Sequence, residues 1–489
     1  MKIEMENTGK ISNYKISYKI SYKISFLLFA IIFAGVFLTI LLNFVNNAEA
    51  GKNLRTASFF NVPSRNSLSL KQAFLYALKH NKLIKIAKYK LQSSVYEENE
   101  AFSGFLPKIN FNEIYMNTNN PLYAFGNILN QRKLTNQNTD YYFSPSFLDN
   151  PGMIQNYESN FQVEEPIFMG GKIYLGYKRA ALNKDALKKN LTESQQKVLY
   201  DVAKAYYSAD LALKYVHLMK NMVKTMRVYK NLTINLYKQG QVVSSDVLRA
   251  KVALASMKEK LMAADKNYRL ALYYLNITAG IPINAKFNLS TDLKFKPFKK
   301  IISIKTLQNK AFKYRPDYKA MSLNKKNMAL GITEAEGKFL PKISAAYNYY
   351  SNAPTFHPGD AYSYMFTVMF HFNIFSGMYD YNNLEKSKAA FNTVAEYKSL
   401  FKDKIEMQVR NAYLKYKTDL INTNVAKLAA LNAKKTLKIT KNRYDAGITT
   451  LINLDRTLDD YKQARLNYIN SLYKLDLDKY YIKFVTGTI

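Results

Sequence analysis

The stretch from Gly331 to Gly337-Lys338 is the closest this sequence comes to a phosphate-binding loop. Such a loop places four residues between its glycines and a Ser or Thr after the lysine to hold magnesium. Here five residues intervene and Phe339 follows the lysine, so the metal ligand is missing. Neither a G-x-S-x-G nucleophile turn nor an H-E-x-x-H zinc helix occurs. The four histidines, His80, His217, His357 and His371, are scattered and read as surface or lining residues rather than ligands. The absence of cysteine rules out disulfides, thiolate metal sites, cysteine nucleophiles and a lipid-modified N-terminal cysteine. The sequence therefore predicts no enzyme, no cofactor and no metal.

What the chain does contain is a long internal repeat. Phe105-Leu106-Pro107-Lys108-Ile109 returns as Phe339-Leu340-Pro341-Lys342-Ile343 at an offset of 234, a register that extends back through Glu100/Glu334 to Ser69/Ser303. A second register, at an offset of 207, pairs Phe168 with Phe375, Gly170 with Gly377, Tyr206 with Tyr413, Tyr237 with Tyr444, Gly240 with Gly447 and Arg249 with Arg456. The 27 residues by which the offsets differ are inserted between Ile109 and Ile167. Duplication on this scale sets the architecture before any single residue does. Each half reads as helix, strand pair, very long helix and returning helix.

The length of those helices follows from what is missing. No proline lies between Pro166 and Pro282 or after Pro358, and no glycine between Gly176 and Gly240. A helix of about sixty residues reaches about 90 Å. Leu191, Val198, Ala205, Ala212 and Met219 form one seven-residue seam; Val202, Ala209, Val216 and Val223 form its partner. Such spacing predicts coiled-coil packing, but it does not separate a plain antiparallel hairpin from a helical tube.

Strand signals flank these helices. From Tyr362 to Ile374 the even positions are Tyr, Tyr, Phe, Val, Phe, Phe and Ile, and the odd ones are mostly polar. Ile343, Ala345, Tyr347 and Tyr349 repeat the alternation, with weaker versions at Ile109, Phe111 and Tyr115 and at Phe161, Val163 and Ile167. A tilted membrane strand needs about 9–11 residues with this period, although a soluble sandwich also alternates. Four strands are too few for a barrel, and open edges are forbidden in lipid. If these strands span a bilayer, several chains must share one barrel, and three would give twelve strands. Pro107 and Pro341, with Pro166, Gly170 and Gly377, are expected at the helix–strand junctions, and the Asn- and Pro-rich 119–156 and 351–361 at the loops.

At the N-terminus an uncharged run from Phe26 to Leu42 precedes Ala48-Glu49-Ala50, the pattern of a cleavable signal peptide at 1–50. The first repeat is then expected at 51–282, with strands about 107–118 and 158–168 and helices about 171–238 and 245–279. A linker spans 283–300. The second repeat occupies 301–489, with strands about 341–351 and 362–374 and helices about 378–445 and 452–485. The net charge of +35 is spread along every helix rather than gathered, which argues against nucleic acid as a partner of an exported chain.

Taken in order, these motifs resemble the outer-membrane efflux proteins, the TolC-like outer-membrane factors, over roughly residues 66–488. The likeness rests on the duplicated Leu-Pro junctions, Pro166-Ile-Phe-Met-Gly-Gly171, the Val-x-x-Ala-Tyr of the long helices and two tip motifs, Tyr237 to Ala250 and Arg443 to Arg456. It implies a mainly α fold with a membrane β-barrel: a homotrimer with twelve strands in outer-membrane lipid and a tube of helices in the periplasm. The trimer would be a passive exit duct for efflux or type I secretion, served by a periplasmic adaptor protein and an inner-membrane pump of RND, ABC or MFS type. The insert Tyr123 to Arg132 looks like an external loop. Asn373 departs from the family by replacing a proline, and Asn453 and Arg456 stand where some relatives carry acidic residues at the entrance. Asp246, Arg249, Asn453, Asp455 and Arg456 are the expected periplasmic gate, as a charged iris or as ordinary surface ion pairs. Gly240 and Gly447 should end the descending helices and Asp246 should cap the returning one, leaving Val242, Val243, Ile448 and Thr449 for the adaptor. The alternative is a structural periplasmic coiled-coil protein without a channel.

Overall fold

The computed structural model describes residues 67–290, 297–298, 303–356 and 361–489. The leader expected at 1–50, part of the 283–300 linker, and His357, Pro358 and Gly359 of the shorter loop lie outside them. Each repeat opens with a helix broken once: α1 (Leu70–His80) and α2 (Lys82–Ser103), then α8 (Ile304–Tyr314) and α9 (Pro316–Glu336) in the second. Ser69 caps α1 through a reciprocal bond pair with Gln72, and Asn81 caps α2 by accepting from Leu83 and Ile84. The second break falls at the repeat-equivalent Arg315, where Pro316 occupies the first helical turn. The sequence pattern reads each of these pairs as one helix. The break is set locally by the cap and the proline, and from outside by a glycine. An added Cβ at Gly280 would sit 2.7 Å from the His80 carbonyl carbon, and one at Gly487 would sit 2.8 Å from Arg315 N.

Strands β1 (Lys108–Thr118), β2 (Ile154–Met169), β3 (Lys342–Ala353) and β4 (Ala361–His371) form one antiparallel sheet in chain order. Both hairpins keep the same register under the two sequence offsets: Lys108 faces Glu164 as Lys342 faces His371. The apolar residues share one face, with Phe111 opposite Phe161, Phe161 opposite Tyr349 and Tyr349 opposite Tyr364. That ribbon is interrupted at Glu113, which accepts from Ser159 Oγ at 2.5 Å. Strand β4 stops at His371, three residues short of the span its alternation predicts. Its only partner among the described residues, β3, begins at Lys342, which already faces His371, so Phe372 to Ile374 find no partner among them. Neither β1 nor β4 has a partner on its outer edge among the described residues.

The 27-residue insert falls in the first hairpin loop, at the end of the sheet far from the long helices. It folds into α3 (Pro121–Asn130), α4 (Thr139–Tyr142) and α5 (Pro145–Asp149). α3 covers the polar face of the sheet: Asn127 Nδ2 donates to Met116 Sδ at 3.6 Å, and Gln131 Nε2 to Gln155 O at 2.7 Å. Arg132 reaches β4, donating to Tyr362 O at 2.7 Å and lying 4.9 Å from the Tyr362 ring.

From the sheet descend α6 (Lys172–Lys238) and α10 (Tyr379–Asp445), each 67 residues and therefore about 100 Å long. They return as α7 (Ser244–Ala279) and α11 (Leu451–Val485). The Val198, Val202, Ala205, Ala209, Val216, Met219 and Val223 seam is buried, and alanines at its centre let the helices approach closely. Near the sheet the order of neighbouring helices is α2, α6, α9, α10, with α11 lying against α6 lower down.

Candidate functional site

The two tips are built alike. After α6, Gln241 N–H donates to Leu236 O at 2.9 Å and Gly240 N–H to Tyr237 O at 3.0 Å, with Gly240 left-handed at φ 71°. After α10, Ile448 and Gly447 make the same bonds to Arg443 O and Tyr444 O at 2.8 and 3.0 Å. This is the glycine-closed helix end that the spacing predicts. Val243 and Ile448 are well exposed, at 63 % and 66 %, while Val242 and Thr449 are half-buried.

One expectation fails here. Asp246 does not cap α7, because the N-cap position is Val243 and no side chain accepts there. Asp246 sits in the first turn of the helix, where a carboxylate still opposes the positive end of the helix dipole. On α11 the cap is Thr450, which accepts from Asn453 N–H at 3.4 Å, while Asn453 Nδ2 reaches Thr449 Oγ1 at 3.3 Å.

The five expected gate residues do not meet in a single chain. Arg249 lies 3.9 Å from Asp246 along its own helix and is largely exposed. Arg456 is exposed and makes no ion pair among the described residues. Asp455 is half-buried; burial raises its carboxyl above the usual range, Asp459 adds to this, and Lys462 and Lys260 oppose it. Beneath the tips all four long helices share one core containing Met219, Met226, Leu254, Leu454 and Leu458. Tyr444 is buried in it, with its hydroxyl 2.9 Å from Thr233 Oγ1 and its ring 6.0 Å from that of Tyr229.

At the other end of the long helices, Pro107 and Pro341 immediately precede β1 and β3. Pro166 is not at the junction but inside β2, at the point where the β2–β3 register slips. A residue with no N–H is tolerated at such a bulge. Gly170 (φ 61°) lies back to back with Gly337: a Cβ on either would meet the other's carbonyl oxygen at 2.2 and 2.0 Å. Gly377 is left-handed too, at φ 62°, yet has open space around it. Met378 stands where the first repeat has Gly171 and is itself left-handed at φ 67°.

A polar cluster in the second helical hairpin went unread in the sequence. Asp419 and Asp478 are buried between α10 and α11, with Lys415 Nζ 3.1 Å from Asp478 Oδ1. Thr423 donates to Asp419 O and, at 3.2 Å, to Ser471 O. Burial first, then the neighbouring Asp419, pushes the Asp478 carboxyl up to about 6 against the pull of Lys415. The signal was available: moving the Ala212 seam position by 207 lands on Asp419.

Among the described residues no helix is long and apolar enough to cross a membrane, which says nothing of the strands. No group of three or more His, Cys, Asp or Glu among them could hold a metal ion.

The sequence pattern of the family described as "Outer membrane efflux protein" matches residues 76–280 and 307–488, one match in each repeat. The chain belongs to the outer membrane efflux protein family. That is a family of channels rather than enzymes, and it places the chain in the outer membrane with its helices extending into the periplasm. Solved structures carry the same fold at low identity. The CmeC outer membrane channel of Campylobacter jejuni superposes with a TM-score of 0.73 at 17% identity, over 86% of this chain and 85% of that one. The outer membrane protein VceC of Vibrio cholerae gives 0.69 at 13%, over 86% and 96%. The open state of the MtrE outer membrane channel of Neisseria gonorrhoeae gives 0.69 at 16%, over 86% and 89%. Comparison with curated protein sequences finds no match.

Proposed function

We propose that three copies of this chain form a passive exit duct through the outer membrane, with twelve shared strands above and a tube of long helices below. The observation that carries this reading is the four-stranded sheet, apolar on one face and without a strand partner at either edge among the described residues, standing on helices about 100 Å long. Lipid cannot satisfy the backbone groups of an open edge, so the sheet needs neighbours. Four strands fall short of the roughly eight with which the smallest bacterial barrels close. Three copies follow the family's implied stoichiometry.

At the far end the glycine-closed tips present Gly240, Val242, Val243, Gly447, Ile448 and Thr449 to a periplasmic adaptor, which links the duct to an inner-membrane pump of RND, ABC or MFS type. The duct supplies no energy, and its cargo is set by that pump, whether small compounds for efflux or a polypeptide for type I secretion. Asp246, Arg249, Asn453, Asp455 and Arg456 line the entrance. Because Arg249 and Arg456 occupy equivalent repeat positions, six arginines per trimer would meet an incoming ion, and charge rings of this kind tune selectivity.

Purified protein should migrate as a trimer in detergent and open ion-conducting pores in planar bilayers. A water-soluble monomer without conductance would retire the duct. Arg249→Ala with Arg456→Ala should lower the preference for anions; an unchanged reversal potential in a salt gradient would leave those arginines as ordinary surface charges.

A further inference from the structure

We infer that Lys108, Lys342 and His371, opposed only by Glu164, form a selectivity ring inside the barrel where the strands give way to the helices, and that the ring favours anionic cargo carrying carboxylate or phosphate groups. This rests on the duct proposed above. It adds a second selectivity element, separated from the charged tips by the whole length of α6.

The direction of the side chains is the first support. Successive residues of a strand point to opposite sides, so the register fixes which of them share one. Phe111, Phe161, Tyr349 and Tyr364 lie on the apolar side. Lys108, Glu164, Lys342 and His371 fall on the other. That is the side α3 covers, where Asn127 reaches Met116 and Gln131 reaches Asn156. In a barrel whose apolar side meets lipid, this side lines the water.

The placing of charge along that side is the second. Its middle rows carry amides, with Asn110 beside Gln162 and Asn348, and Asn112 beside Asn160. Apart from Glu158, two residues from the Asn156 that the insert contacts, the charged and imidazole groups of the strands on this side all sit in the pairs nearest the long helices.

The difference between the repeats is the third. Lys108 opposite Glu164 and Lys342 opposite His371 are one and the same pair under the sequence offsets, and all four residues are exposed. In the first hairpin opposite charges stand across the strands and cancel, an arrangement that steadies a sheet. The second keeps the lysine but sets against it an imidazole, which carries no negative charge to cancel it. A pair kept only for cross-strand attraction would repeat the carboxylate. Three copies would therefore place six lysines around this level of the duct against three carboxylates. Rings with an excess of one sign tune the selectivity of a pore, and low-dielectric walls focus their field on the axis.

Exchanging the two opposing residues tests the ring, with the tip arginines left intact. In planar bilayers across a dilute potassium chloride gradient, His371→Glu should lower the anion-to-cation permeability ratio about two-fold or more, and Glu164→His should raise it by a similar factor. The double exchange, Glu164→His with His371→Glu, conserves the charge of the face and should return the wild-type ratio. The chain has no cysteine, so a single introduced thiol reports on its own surroundings. In outer-membrane vesicles a charged, water-soluble maleimide should label His371→Cys at least about ten-fold faster than Phe370→Cys, whose site is 66% exposed in one chain but turned to lipid in the duct. Equal labelling of the two thiols, or a permeability ratio that neither exchange moves, overturns the ring and leaves the duct standing. Wild-type protein that opens no pores overturns both.

Discussion

The two helical hairpins of this channel, α6–α7 and α10–α11, have nearly equal lengths and glycine-closed tips of the same geometry, but they differ in what fills the seam. In the first, the partly buried residues near mid-length include Ala212 and Ala271. In the second, the equivalents are Asp419 and Asp478, with Lys415 at the rim. Alanines at those positions let the helices approach closely, and the first hairpin's one buried carboxylate, Asp210, lies elsewhere on α6. A seam holding two buried carboxylates and one half-exposed lysine is held together at a cost in desolvation. Duplication has kept one backbone path while setting a pair of neighbouring carboxylates in only one of its two copies.

The most disruptive way to test this contrast is to give the first hairpin the second one's problem. Ala271→Asp places a carboxylate in the first seam, where Ser208 stands in place of Lys415, and should lower stability by about 3 kcal/mol or more at pH 8, read as a drop in the thermal unfolding midpoint in detergent. The converse, Asp419→Ala with Asp478→Ala, makes the second seam resemble the first and should raise stability by about 2 kcal/mol at the same pH.

Acidity sharpens the comparison further. Burial holds the Asp478 carboxyl at about 6 in the folded chain, above the roughly 4 of an unfolded aspartate. Its contribution is therefore fully present below pH 4 and lost as pH climbs through 6. Between pH 4 and pH 7 the wild type should lose roughly 2 kcal/mol from this site, and Asp478→Asn should flatten that slope. A slope unchanged by the substitution would mean that the carboxylate is not buried in solution. The smallest effects belong at the tips, where the two glycine closures do not differ. Gly240→Ala and Gly447→Ala meet no neighbour but force a side chain into a left-handed conformation, so each should cost about 1 kcal/mol, equally, in the same unfolding measurement.

The repeat offsets, the lengths of the four long helices and the glycine-closed tips were legible because they rest on local chemistry. Proline is absent where a helix must continue, and glycine stands where it must stop. What the sequence hid depends on neighbours. The end of β4 is set by where β3 runs out, not by the alternation that continues to Ile374. Asp246 has the chemistry of a cap, but the helix starts three residues earlier, with Val243 at the cap position. The helical breaks at Asn81 and Arg315 answer to Gly280 and Gly487, some two hundred and one hundred and seventy residues away. Asp419 and Asp478 read as surface residues in a lysine-rich helix until the first repeat's seam is laid over them. The expected gate residues stay apart in one chain; in the proposed assembly the groups they face would belong to other copies.

The helical insert sits in only one of the two hairpins. In the proposed assembly three capped hairpins would alternate with three bare ones, so the extracellular rim has strict threefold symmetry while the helical tube below approximates sixfold. An antibody or phage arriving from outside meets three separate landing sites, and a substitution in α3 could remodel those epitopes without touching the tube.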